Sequence, residues 1–415
     1  MGSNDRTRPA GLWKYLIACA SVLGSCAAGT VAGAAGEWEL SGSVAAELRI
    51  FPDSPAFVEQ NDATFSPSAS FEPEIVYEWN DGRDRLTAVP FLRLDAHDDN
   101  RTHADLREAN WLRVGDGWDL VIGIDKVFWG VTESRHLVDI VNQDDRVEDI
   151  DGEDKLGQPM LNLNLYRDWG RLGLFVLPGF RERTFPADDA RLRGPLPIAD
   201  TATFDSGAGD WHTDLALRWA HAIGAWDIGL AHFHGTSREP RFIPRVGVGG
   251  GEQLVPHYDQ IDQTSVDLQL TTGAWLWKLE ALTRSGQGHR FAAVVGGFEV
   301  THYNVLGTGA DLGLLAEYLY DGRDKDRAPP TALEDDIFLG ARLALNDPQD
   351  SSALVGTVLD RRSGAAIVFV EAERRLGDSW RIELESRLFF DVPDDDPLAG
   401  IRNDSFVTLR LSRFF

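Results

Sequence analysis

The chain has 415 residues, with 40 Lys and Arg against 66 Asp and Glu and a formal charge of −26. That balance excludes the clustered basic surface a nucleic-acid partner needs. Its two cysteines, Cys19 and Cys26, lie near the N-terminus, so the rest of the chain has no thiol for catalysis, metal ligation or a disulfide. No uncharged apolar run after Gly36 approaches the length of a membrane helix, which excludes a helical membrane bundle but not spanning strands, since each of those needs only about 9 to 11 residues.

Arg6, Arg8 and Lys14 precede an uncharged stretch from Tyr15 to Gly36 that ends in small residues with an A-x-A site at Ala32 to Ala34. This pattern predicts a cleaved secretory signal over 1–34 and one mature domain over 35–415. The sequence LGSC ending at Cys26 allows lipidation of Cys26 as the other processing route. Cleavage removes three bases and one acid and moves the formal charge from −26 to −28.

From Glu37 to Ile50 a period of two holds: Trp38, Leu40, Val44, Ala46, Leu48 and Ile50 take one face, while Glu39, Ser41, Ser43, Glu47 and Arg49 take the other. The same division recurs at 85–95, 265–272 and 379–390, with Arg93, Glu383, Glu385 and Arg387 on polar faces. The last segment, FVTLRLSRFF, sets Val407, Leu409, Leu411 and Phe415 against Thr408, Arg410 and Ser412. Gly, Asn and Asp clusters at 80–84, 115–118, 168–171, 223–226, 272–275, 307–311, 346–351 and 376–379 predict eight tight turns. Nine connections, most of them longer, alternate with them. Together they predict an all-β fold: a transmembrane antiparallel up-and-down β-barrel of about 18 strands, 16 being the other count the pattern allows. Nine tryptophans (Trp38, Trp79, Trp118, Trp169, Trp219, Trp226, Trp275, Trp277 and Trp380) fall at or near the short-turn ends, as an aromatic girdle requires.

The leader, the cysteine-free alternating strands, the short-turn and long-loop rhythm and the terminal Phe415 resemble the Gram-negative outer-membrane barrels, in particular the larger porin-like members. GIDKVFWG at 123–130 is similar to strands of some porin-like and polysaccharide-export barrels. The resemblance implies an outer-membrane location and contact with outer-membrane lipid and lipopolysaccharide. It also implies recognition of Leu409, Leu411 and Phe415 by the barrel-assembly machinery. Arg413 stands where the family generally has an aromatic or apolar residue. A homo-oligomer fits the same resemblance, and no cofactor is called for.

A barrel this wide is not filled by wall side chains alone, so it holds water or is plugged by a loop. Wall charges, among them Arg93, Arg218, Arg342, Glu383, Glu385 and Arg387, then face a passage for small hydrophilic solutes. The third long loop, 131–158, resembles the inward-folding porin loop, and Leu137, Val138, Ile140 and Val141 make its first part apolar enough to pack inside. Its second part carries Asp144, Asp145, Glu148, Asp149, Asp151, Glu153 and Asp154, carboxylates that would favour cations at a constriction. Asp149, Asp151 and Asp154 also form a partial divalent-cation pattern around Gly152, without the spacing of a full calcium loop. The expected function is passive or selective passage of small hydrophilic solutes. A structural or adhesive barrel and a lipid-modifying enzyme are the alternatives. Against the enzyme, the chain lacks G-x-S-x-G and H-E-x-x-H, and His232 and His234 share the face of a strand end where interface residues belong.

Overall fold

In the computed structural model, residues 31–33, 36–247 and 250–415 are described. The expected leader and Cys26 lie outside them, except that Val31–Gly33 pairs back on Gly36 to Trp38. Eighteen strands follow one another round a closed wall: β1 Gly36–Ile50, β2 Phe65–Trp79, β3 Asp84–Asp95, β4 His103–Gly115, β5 Trp118–Asp125, β6 Gln158–Arg167, β7 Gly170–Pro178, β8 Thr213–Ile223, β9 Trp226–Thr236, β10 Gln260–Thr272, β11 Trp275–Ser285, β12 Phe291–His302, β13 Asp311–Asp321, β14 Asp335–Ala344, β15 Ser352–Asp360, β16 Ala366–Leu376, β17 Trp380–Phe390 and β18 Phe406–Phe414. Each pairs antiparallel with the next, and β18 returns to β1 in the register Ser43 with Phe414 through Ile50 with Val407. Closure leaves no free edge, so every strand satisfies its backbone groups within the wall.

The turns fall where the Gly, Asn and Asp clusters place them, and both ends of the barrel sequence lie on the short-turn side. At 80–82, Asn80 and Asp81 take φ of 54° and 56° and Gly82 takes 74°, left-handed backbone that only these residue types adopt at low cost.

Alternation sorts the two faces. Leu40, Leu92, Leu230 and Leu409 point outward at 39–47% exposure, whereas Glu47, Arg93 and Glu280 point inward at 4% or less. The outward face is an apolar band for lipid. At its short-turn rim, Trp38 stacks on Tyr77 at 4.5 Å and Trp275 on Trp277 at 5.5 Å. Arg413, which breaks the apolar row of β18, lies over the Trp380 ring at 5.6 Å. Among the described residues no helix is long and apolar enough to cross a membrane; the crossing is made by strands.

Two features depart from simple alternation. The β3–β4 register shifts at Val89 and Pro90, a β-bulge where proline's missing N–H costs no ladder bond. Outside the wall, the long connection after β9 forms a hairpin of Arg241–Val246 with Glu252–Tyr258, and Thr203–Phe204 joins it in parallel. Within the tip over 246–252, Val248 and Gly249 lie outside the described residues.

The interior is divided by the connection between β5 and β6. Trp129, Val138, Ile140 and Val141 pack against the inward residues Phe175, Leu177, Ala216 and Phe233 of β7 to β9. Leu137 packs instead with Leu282, Val295, Leu319 and Phe338 on the other side. Each fully buried aliphatic side chain of this kind contributes about 1.5–3 kcal/mol, so this apolar segment holds the connection inside the barrel.

Candidate functional site

Two wall glutamates fasten the first part of this connection by its backbone. Glu280 on β11 accepts hydrogen bonds from the amides of Val131 at 2.7 Å, Thr132 at 3.0 Å and Val138 at 3.1 Å, and from the Thr132 hydroxyl at 2.7 Å. Glu317 on β13 accepts from the amides of Glu133 at 2.9 Å and Ser134 at 2.8 Å and from the Ser134 hydroxyl at 2.6 Å. The chain can approach Glu280 so closely because Gly130 adopts φ +151°, where a Cβ would lie 3.0 Å from the carboxylate.

The second part is held by charge. Arg93 reaches Glu148 at 2.6 Å and Glu47 at 3.2 Å, Arg107 reaches Asp145 at 2.6 Å, Arg49 reaches Asp149 at 3.5 Å and Arg387 reaches Asp151 at 2.7 Å. Asp144 meets Lys155 at 2.7 Å and Arg183 at 2.6 Å. Burial pushes the Asp144 carboxyl upward, but Arg183, Lys155 and Arg146 outweigh it and hold Asp144 below its ordinary value. Burial likewise opposes the His136 charge, yet its hydrogen bond to Glu153, at 3.0 Å, and the Glu280 carboxylate, 4.0 Å away, raise it to about 10. His136 is therefore cationic at neutral pH. Asp154 alone among the acids of 144–154 makes no side-chain hydrogen bond or ion pair among the described residues. Burial, reinforced by Glu148, Asp151 and Asp149, lifts Asp154 to about 7.

Between this connection and the wall of β14–β17 lies a cavity of about 840 Å³, continued by a second of about 350 Å³. Glu133, Leu354, Glu371 and Glu385 line both and so mark where the two meet. On the wall, Glu371 stands directly opposite Glu385, and Glu373 opposite Glu383.

No protein-family model matches the chain, and no curated protein matches it. Solved structures do. A BenF-like porin from Pseudomonas fluorescens Pf-5 is similar over 92% of this chain and 98% of its own, with a TM-score of 0.53 and 10% identity. OccK11 of Pseudomonas aeruginosa is similar over 92% and 96%, with a TM-score of 0.51 and 10% identity. Wzi, described as an outer-membrane, carbohydrate-binding β-barrel involved in capsule assembly in Escherichia coli, is similar over 89% and 83%, with a TM-score of 0.50 and 9% identity. The fold is that of an outer-membrane porin-like barrel. Its closed wall, lipid-facing band and aromatic rim are those of a protein of the Gram-negative outer membrane.

Within this porin-like barrel the sequence-predicted charges separate into two groups. Asp144, Asp149, Asp151, Glu153, Asp154, Glu385 and Arg387 line the larger cavity, and Arg342, Glu383 and Glu385 line the smaller. Arg93, Arg218, Asp145 and Glu148 line neither. Arg218 pairs with Asp267 at 2.7 Å and lies over the Trp129 ring at 5.1 Å, and the other three join the connection to the wall. Asp149, Asp151 and Asp154 do not converge as ligands, since Asp149 and Asp151 turn to different wall arginines. Among the described residues the clusters that do converge are His103 with Asp145 and Glu148, and Asp205 with His257 and Asp259. In both, arginines already face the carboxylates: Arg107 and Arg93 in the first, Arg241 in the second.

Sequence reasoning missed Glu133, Glu371 and Glu373. Their signal was present, because Glu371 and Glu373 share the polar parity of β16. It also missed Arg107, whose inward aim depends on the bulge. His232 and His234 lie half-exposed on the outward face, bonded to Thr264 and Asp262 at 2.9 Å.

Proposed function

We propose that this barrel is an outer-membrane channel for small hydrophilic solutes, that it favours cations, and that the connection 131–158 is its constriction. The path runs through the two cavities, along β14–β17, with the neck at Glu133, Glu371 and Glu385. The observation that carries the reading is an asymmetry of pairing. Every base lining the cavities has an acid partner within 4.0 Å: Arg135 with Asp321, His136 with Glu153, Arg146, Lys155 and Arg183 with Asp144, Arg238 with Asp214, Arg284 with Glu239, Arg342 with Glu133, Arg387 with Asp151 and Arg410 with Glu47. Among the acids, Glu385 and Asp154 have none among the described residues. A passing anion meets no uncommitted positive charge, whereas a cation meets the unpaired carboxyl of Glu385 where the cavities join and that of Asp154 in the larger one.

Single-channel current in a planar bilayer, with refolded full-length protein in a potassium chloride gradient, tests this. Discrete steps with a reversal potential favouring potassium are expected, and Glu385→Gln should move that potential toward zero. Inserted barrels that stay silent, or that favour chloride, overturn the reading.

A further inference from the structure

The larger cavity has an apolar side that charge does not explain. Two residues outward from Glu371 on β16 stands Phe369, followed by Ile367, and Phe389 faces Ile367 across the β16–β17 pair. With Val358, Leu333 and Leu398 these residues line the 840 Å³ space in two clusters: Phe369 packs with Val358 and Leu333, and Ile367 and Phe389 pack with Leu398 and with Ile150 of the connection. Inward positions of a wide barrel ordinarily meet water and are polar, so an apolar strip beside the neck departs from the rule. It is also built in a fixed geometry. Gly340 and Gly356 stand opposite each other, and a Cβ at Gly356 would run into the Phe369 ring. With both glycines present, Phe369 stacks on the buried Phe338 at 5.7 Å and 6°.

Immediately inward of the strip, β16 and β17 set glutamate against glutamate twice. Like charges directly opposed across strands are destabilising. Arg387, 3.1 Å from Glu371, and Arg381, 3.4 Å from Glu373, relieve the flanks and leave Glu385 uncompensated. The carboxylates do not converge closely enough to be a chelating cluster among the described residues, so the arrangement does not suit a bare metal ion. It suits a positive group brought in on a larger molecule.

We propose that the preferred permeants are small organic ammonium ions carrying an aromatic or compact apolar body. The body lies on Ile367, Phe369 and Phe389 while the ammonium faces Glu371 and Glu385. Residues two apart on one strand are about 7 Å apart, which matches the span from ring to ammonium in a short aralkyl amine. The Phe369 ring already carries the Arg387 guanidinium at 5.5 Å and stacks on Phe338, so the ammonium is drawn by the carboxylates and the strip supplies apolar contact alone. An aromatic carboxylate would use the same strip, but every base around it is already paired. This inference rests on the cation-favouring reading above.

The test is block of potassium current through the full-length protein in planar bilayers by phenethylammonium, methylammonium and benzoate. Phenethylammonium should halve the current at a concentration about tenfold below that of methylammonium, the difference being the buried apolar body, and benzoate should not block. Phe369→Ser should bring the two amines together without moving the potassium-to-chloride reversal potential. Leu398→Asn, in the connection between β17 and β18 and outside the wall, repeats the test should the strand variant fail to fold. Equal block by both amines in a cation-selective wild type overturns this inference and leaves the channel reading standing. Block by benzoate, chloride preference or a silent barrel overturns both.

Discussion

Replacing Glu280 with alanine isolates what keeps the connection 131–158 inside the barrel. Glu280 is fully buried and receives three amides and a hydroxyl, from Val131, Thr132 and Val138, at 2.7–3.1 Å. Hydrogen bonds to a charged acceptor contribute about 1.5–3 kcal/mol each when the alternative is an unsatisfied group. Glu317 still holds residues 133 and 134, so the loss is taken at the lower end, about 3 kcal/mol of local anchorage. That is about a hundredfold in the opening equilibrium of this segment. Amide hydrogen exchange of the refolded protein in detergent reads it directly: amides of 131–138 should exchange about a hundredfold faster. Amides of β1 and β18 should keep their protection. Single-channel traces should gain conductance noise as the connection leaves its seat. Unchanged protection at 131–138 would refute the claim that Glu280 is the anchor, and equal loss across the whole barrel would show that the residue supports the wall instead.

Asp154 gives a pH dependence. Its folded value of about 7 lies above the ordinary 3.8, so ionising it costs the folded state; stability falls as pH rises from about 4 through 7. Potassium preference should rise across the upper part of that window, and Asp154→Asn should flatten the reversal potential between about pH 6 and 8. Glu47, which is 4% exposed, faces Arg93 at 3.2 Å, Arg101 at 2.6 Å and Arg410 at 2.8 Å. Glu47→Ala leaves three guanidinium groups without that partner and should cost about 3–5 kcal/mol, read as a lower urea midpoint for unfolding from lipid. Deleting Phe415, which stacks near Phe71 at 6.2 Å and exchanges backbone hydrogen bonds with Gly42, should lower the yield of inserted barrel in cells while in vitro refolding into detergent persists. Equal loss in both settings would assign Phe415 to closure rather than to recognition.

The barrel was legible because its rules are local. A period of two is visible in any dozen residues of wall, and Asn80, Asp81 and Gly82 announce a left-handed turn without reference to anything distant. The interior was harder to read. Leu137, Val138, Ile140 and Val141 are apolar enough to say that they pack inside, but the sequence does not say that Leu137 turns to β11–β14 while its three neighbours turn to β7–β9. The carboxylates of 144–154 look like a free acidic ring only while their partners are unknown. Those partners, Arg49, Arg93, Arg107, Arg183 and Arg387, come from five separate parts of the chain, and a pairing across such separations has no local signature. Arg107 adds a further obstacle, since it is the extra residue at the Val89 and Pro90 bulge, where alternation breaks and strand parity alone does not place it inside.

The strongly acidic formal charge is therefore a poor guide to selectivity in this protein. Most interior acids act as fasteners: Glu280 and Glu317 hold amides, while Asp145, Glu148, Asp149 and Asp151 hold arginines of the wall. On the channel reading proposed above, a solute passing through would feel only the charge that this internal pairing leaves over. Where the two cavities join, that remainder rests on Glu385, with Glu371 beside it sharing Arg387 with Asp151. The Gly340 and Gly356 pair next to these residues leaves room for the stacked Phe338 and Phe369 rings beside the cavity. Selectivity in such a barrel follows from which few side chains the packing leaves uncommitted, and a substitution that releases a fastener such as Arg387 should change permeation as much as one that removes a carboxylate.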